Sequence, residues 1–200
     1  MPQNNPLIRT PARKLKIALL IALPINREEY QSDRDNCQTE PRRYVNSSAC
    51  FDHYAEKFIQ PVTDLIGSIN DTSIEVNHHV SLSDFSQYFS GNHNIIILVT
   101  HCEDGWMEFR DRFYREEEIA EIIPDTFTGI LDLSVCQPIK LAKLLDATND
   151  NMIAHVIFSR ATPAFWMQYF RILFWRIINS DDSYLEASIF SHQNLDKLSQ

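Results

Sequence analysis

His101 and Cys136 are the residues of this chain whose types and setting could do chemistry. Each closes a short apolar run. The first is Asn94-Ile95-Ile96-Ile97-Leu98-Val99-Thr100-His101, the second Gly129-Ile130-Leu131-Asp132-Leu133-Ser134-Val135-Cys136. A thiol is a useful nucleophile when its thiolate is populated or when a base takes its proton. An imidazole can act as acid and base near neutral pH. The pair therefore spells a base and a nucleophile, on condition that the fold sets the two run ends side by side. Cys136 also precedes a helical pattern opened by Pro138, and amide groups at a helix start favour a thiolate. The plainer alternative is two strand-end residues that meet nothing special, because Cys is among the most buried residue types and often simply packs.

The runs themselves are expected to be strands. Short apolar stretches rich in β-branched residues mark buried strands of a parallel sheet, and in open α/β sheets ligands and chemistry collect at the carboxyl ends of such strands. Further strands are expected at 17–23, 73–80 and 152–158. Residues 26–50 are polar and charged with little periodicity and read as a long surface loop. Helical spacing runs from Phe51 to Ile69, with Pro61 as a kink or break. Ser83-Asp84 offers a cap for a short helix ending near Phe89. After His101 come a turn at 103–106 and a hairpin or extended arm at 107–114. Helices follow at 115–123, 138–147, 163–178 and 184–197. Strands alternating with helices give an α/β sandwich around a largely parallel sheet. Residues 1–14 are expected to be a flexible segment and residues 15–200 a single domain.

Composition narrows the function classes. A formal net charge of −9 argues against a nucleic-acid or anionic-membrane footprint. Cys37, Cys50, Cys102 and Cys136 are irregularly spaced, a poor disulfide framework that fits a reducing cytosol. Basic residues before Ile17-Ala18-Leu19-Leu20-Ile21-Ala22-Leu23 resemble the start of a signal peptide. That run is short, however, and lacks a small-residue cleavage site, so it reads as a first core strand. No stretch reaches the ~20 apolar residues of a spanning helix. His53, His78, His79 and Cys50 lack the paired spacing of a zinc site, and neither metal nor cofactor is expected. The stretch from Phe165 to Ile178 is apolar nearly all round and is expected to be buried or to form a partner interface.

The order of elements, with Val99-Thr100-His101-Cys102 and Leu131-Asp132-Leu133-Ser134-Val135-Cys136, resembles the caspase-like cysteine peptidases and most closely their bacterial CHAT branch. That family shows an apolar strand ending in His, often His-Gly, and a second strand ending in a Ser-Ala-Cys type motif. The stretches Arg160-Ala161-Thr162-Pro163-Ala164-Phe165-Trp166 and Tyr184-Leu185-Glu186-Ala187 are similar to its later elements. The likeness spans roughly residues 15–195.

The resemblance implies a three-layer caspase-hemoglobinase-like sandwich and an endopeptidase that works with a Cys–His dyad. His101 would be acid and base, Cys136 the nucleophile, and the backbone N–H groups of Cys102 and Cys136 the oxyanion hole. The chain departs from the family pattern where Cys102 replaces the usual Gly and Val135 the usual small residue. Such proteases often act in signalling or defence, on a dedicated protein substrate and under an activator or partner chain. Asp132, Glu103 and Asp104 are the acidic residues near the pair and would favour a basic residue at the cleaved bond by charge complementarity. The alternative is a catalytically silent caspase-like module that binds protein partners, a reading favoured by Cys102.

Overall fold

The computed structural model describes residues 5–36, 43–47, 50–158 and 161–195. In these the chain forms strands β1 (Ile17–Ile21), β2 (Ile74–His78), β3 (Ile95–Thr100), β4 (Cys102–Glu103), β5 (Trp106–Glu108), β6 (Phe113–Arg115), β7 (Ile130–Val135) and β8 (Ile153–His155). The helices are α1 (Arg27–Asn36), α2 (Phe51–Tyr54), α3 (Gln60–Ser68), α4 (Leu82–Tyr88), α5 (Glu116–Glu121), α6 (Ile139–Thr148), α7 (Pro163–Asn179) and α8 (Tyr184–Asn194).

Five strands make one sheet in the order β2-β1-β3-β7-β8, with every pairing parallel. Side chains alternate across it and feed two cores. Ile17, Leu19, Ile95, Ile97, Val99 and Ile130 pack under α2, α3, α7 and α8. Ala18, Leu20, Ile96, Leu98, Leu131 and Leu133 pack under α4, α5 and α6. The three central strands are buried at every residue, which is why they read as unbroken apolar runs. The run at 17–23 thus carries an interior strand of the sheet, between β2 and β3. The remaining strands form a small antiparallel sheet, β4-β5-β6, directly after His101.

Several elements differ from expectation. The stretch 26–50 carries α1, started by the Asn26 side chain, which accepts the Glu29 N–H at 2.9 Å, with Glu28 and Glu29 in the first turn. Polar side chains at every position of the helix but Tyr30 hide its period. Helix α4 is capped by Ser81 and not by Ser83: the Ser81 hydroxyl takes the Asp84 N–H while the Asp84 carboxylate takes the Ser81 N–H. The helix around Pro61 is continuous from α2 into α3 and passes through a π-turn at Ala55–Ile59, the local irregularity that directly precedes the proline. The amino-terminal segment is packed from Asn5 onward: Ala12 is buried, and the Asn5 amide donates to the carbonyls of Thr128 and Asn151. Helix α7 buries one face, with Trp166, Met167, Tyr169, Phe170 and Leu173 inside, and exposes Trp175 on the other. Among the described residues no helix is long and apolar enough to cross a membrane.

Candidate active site

His101 follows β3 and Cys136 follows β7, and these two strands are neighbours. Their register ends at Val99 opposite Ser134 and Thr100 opposite Val135. His101 and Cys136 are the residues that come next, each just past its strand's last paired position. By alternation both side chains belong to the face of Val99 and Ser134, under α2 and α7. Both line one cavity of about 50 Å³, together with Tyr44, Phe58, Trp166 and Met167. Leu23, just past β1, also borders it. The cavity thus sits at the carboxyl ends of β1, β3 and β7, where the strand order reverses direction and open α/β sheets place their ligands.

No hydrogen bond joins the His101 and Cys136 side chains among the described residues. The Tyr44 ring lies 5.5 Å from the His101 ring, tilted by 45°. Burial lowers the pKa of His101, with the nearby Glu103 charge pulling the other way, so the imidazole is held neutral at neutral pH. Burial raises the pKa of Tyr44, and the neighbouring Cys136 and Glu108 side chains act in the same direction, so the phenol keeps its proton. Cys136 is partly exposed. Gln137, the next residue, has φ +55°, and α6 begins two residues later.

A buried charged cluster holds Tyr44 in place. Arg43 Nη1 lies 3.4 Å from Asp33 Oδ2 and 3.6 Å from Glu108 Oε1, and all three side chains are almost fully buried. The guanidinium also donates to the carbonyls of Phe109 and Arg110. His79 Nε2 sits 3.0 Å from Asp33. Glu108 accepts the Tyr44 N–H through its carboxylate and donates its own N–H to the His101 carbonyl at 2.9 Å. One residue, through its side chain and its backbone, therefore ties Tyr44 to His101. Sequence reading missed Tyr44, Arg43 and Glu108. The first two lie in a polar stretch without period and the third in a short hairpin; an Arg between acidic residues gives no local sign of burial.

The other expected residues are spread out. Cys102 sits in β4 on the opposite sheet face, in the second core. Its φ is not positive, so its Cβ causes no strain. The bond from Glu108 N–H to His101 makes Cys102 and Met107 a non-hydrogen-bonded pair, which turns the Cys102 N–H away from β5. Burial pushes the Cys102 thiol up to about 12, with the Glu116 charge adding to the rise, so it stays protonated. Glu103 and Asp104 are exposed at the hairpin tip, where Asp104 at φ +52° and Gly105 at φ +78° make the tight two-residue turn that matches strand twist. Neither lines the cavity.

Asp132, expected as a substrate-facing charge, is fully buried and does not reach the cavity. It accepts from Ser134 Oγ at 2.9 Å and from the Tyr184 hydroxyl at 2.7 Å, and His155 Nδ1 lies 2.7 Å away. His155 Nε2 in turn meets Ser188 Oγ at 3.1 Å. The Ser188–His155–Asp132 order matches that of a serine triad, but Ser188 is fully buried and the set reads as a core network linking β7, β8 and α8. Cys37 and Arg160 lie outside the described residues.

A larger groove of about 850 Å³ lies at the other end of the sheet, among Asn5, Phe89, His93, Asn94, Phe127 and Asn151. It borders strand starts rather than strand ends, and no nucleophilic thiol lies there. No group of three or more His, Cys, Asp or Glu suited to a metal occurs among the described residues. Among known proteins, no family model matches the chain and no curated protein matches it.

Proposed function

We propose that the chain is a cysteine endopeptidase of caspase-like, CHAT-like architecture that cuts a specific protein partner through His101 and Cys136. One observation carries the reading: the two residues follow adjacent parallel strands, face the same side of the sheet and line one cavity. The parallel sheet between helix layers fits the sandwich that the resemblance implies. In this mechanism His101 takes the Cys136 proton and the sulfur attacks the scissile carbonyl carbon, forming a C–S bond as the carbonyl electron pair moves to oxygen. Collapse breaks the C–N bond, and the amine leaves with the proton held by His101. Water then attacks the thioester while His101 takes its proton, releasing the acid and restoring the thiol.

The second reading is a catalytically silent module of the same fold that binds protein partners. The lack of a hydrogen bond between His101 and Cys136 and the Tyr44 ring against the imidazole favour it; free enzymes, however, often hold such contacts loosely. The deciding experiment is labelling with limiting iodoacetamide near pH 7, read by peptide mass spectrometry. Selective modification of Cys136, lost in His101→Ala, supports the peptidase. Labelling of Cys136 no faster than that of Cys50, unchanged by His101→Ala, supports the binding module.

A further inference from the structure

The carbonyl carbon that a nucleophilic sulfur attacks carries its own residue's Cα one bond away and Cβ two bonds away. The side chain on the acyl side of the cut must therefore settle within a few ångströms of Cys136 Sγ. The cavity bordered by Cys136 occupies that place, and its walls are mainly apolar, Leu23, Phe58, Trp166 and Met167 among them, with the uncharged Tyr44 and Ser134 also bordering it. No Asp, Glu, Lys or Arg lines it among the described residues. We propose that this cavity is the subsite for that side chain and that it selects a small aliphatic group, from a methyl to an isopropyl, with Met167 and Trp166 of α7 setting its depth. The inference rests on the dyad reading above and adds the substrate class to it.

Size and polarity decide the class. A dry cavity of roughly 150 Å³ takes a benzene ring; this one, at about 50 Å³, has a third of that room. A Lys or Arg side chain would bury its charge among mainly apolar walls without a counter-charge, a cost of several kcal/mol. The acidic residues that would have favoured a basic side chain are elsewhere: Asp132 is locked in the core, and Glu103 and Asp104 sit at the hairpin tip. Met167 is almost fully buried on the helix that roofs the site, so its length limits how deep a side chain can go.

The test uses four peptidyl chloromethyl ketones, identical except for Ala, Val, Phe or Arg next to the ketone. Cys136 sulfur displaces chloride, a C–S bond replaces the C–Cl bond, and the thiol proton leaves with the chloride. The readout is the rate of Cys136 modification on the full chain. The Ala and Val reagents should react at least ~10-fold faster than the Phe and Arg reagents, the range that pocket fit alone supplies. Met167→Ala should raise the Phe rate at least ~10-fold and change the Ala rate by less than ~3-fold. Met167→Leu, which conserves volume, should keep the wild-type ranking and guards against a folding failure of the first variant. The proposal is overturned if the Arg reagent is fastest, or if all four react equally while iodoacetamide still selects Cys136. If iodoacetamide does not select Cys136 in the wild type, the dyad reading fails first and the subsite falls with it.

Discussion

The backbone N–H of Tyr44 donates to the buried carboxylate of Glu108 at 2.8 Å, and that bond fixes the ring that stands against His101. Glu108 is itself paired with Arg43, which also faces Asp33. Removing the guanidinium takes from two buried carboxylates the positive charge they share, and breaking a buried ion pair from one side is costly. Arg43→Met, which keeps much of the stem, should lower unfolding stability by ~3–5 kcal/mol in urea titrations near neutral pH. A loss below ~1 kcal/mol would show that water reaches the cluster.

Burial lowers the His101 pKa, and the consequence for stability has a definite sign. Between the lowered folded value and the ordinary value near 6.5, the unfolded chain binds the proton that the folded chain refuses. The contribution is whole above that ordinary value and is lost as pH falls through it toward the folded one. Relative to His101→Gln, the wild type should therefore lose stability on going from about pH 7 to about pH 5. Paired urea titrations across that window are the check, and a pH-independent difference would mean that His101 is solvated. The Cys136 labelling rate should keep its His101-dependent part down to a pH below the usual histidine range.

The Asp132 network makes a separate claim. Tyr184 is fully buried, and its hydroxyl donates to the Asp132 carboxylate at 2.7 Å. Burial, followed by the Asp132 charge, raises the Tyr184 pKa well above its ordinary value, so the hydroxyl remains a donor. Tyr184→Phe deletes one donor to a buried charge and should cost ~1.5–3 kcal/mol. Asp132→Ala strips the acceptor from Ser134, His155 and Tyr184 together and should cost more than Tyr184→Phe. Were Asp132 a substrate-facing charge, its removal would instead leave stability nearly intact and slow only reagents carrying a basic side chain. Urea midpoints of the two variants separate these cases.

The sheet was legible because its three central strands are buried on both faces, so that Ile95 to Thr100 and Ile130 to Val135 need no polar alternation. The same fact put His101 and Cys136 at strand ends from sequence alone. What sequence could not supply was the partner of each polar residue. Asp132 stands two positions from Ser134 in an apolar run, and only the fold shows that Tyr184, 52 residues away, closes over it. Tyr44 and Glu108 are joined across 64 residues. Contacts at such separation have no local period, so the wall of the cavity was invisible while its two strand ends were not. Helix α1 was missed for another reason: its polar composition resembles a loop, and only Asn26 and the two following glutamates mark its start.

Gln137 links Cys136 to the helix that follows, and it does so from the left-handed region at φ +55°. A residue with a Cβ pays roughly 1–2 kcal/mol to stand there, and because Pro138 favours extended backbone in its predecessor, the left-handed turn is imposed by the surrounding fold. Glycine would remove that strain but give back ~0.4–1 kcal/mol through the greater freedom of the unfolded chain. Gln137→Gly should therefore match or exceed wild-type stability by up to ~1 kcal/mol. Gln137→Val, β-branched at positive φ, should fall ~1–2 kcal/mol below it. Thermal and urea unfolding give the order, and Val at or above Gln would show that the bend is not left-handed in solution. The same bend sets how the chain leaves the sheet and turns into α6, and so where the Cys136 sulfur stands over the cavity. Gln137→Val should accordingly slow Cys136 labelling relative to Cys50, while Gln137→Gly should leave that ratio close to wild type.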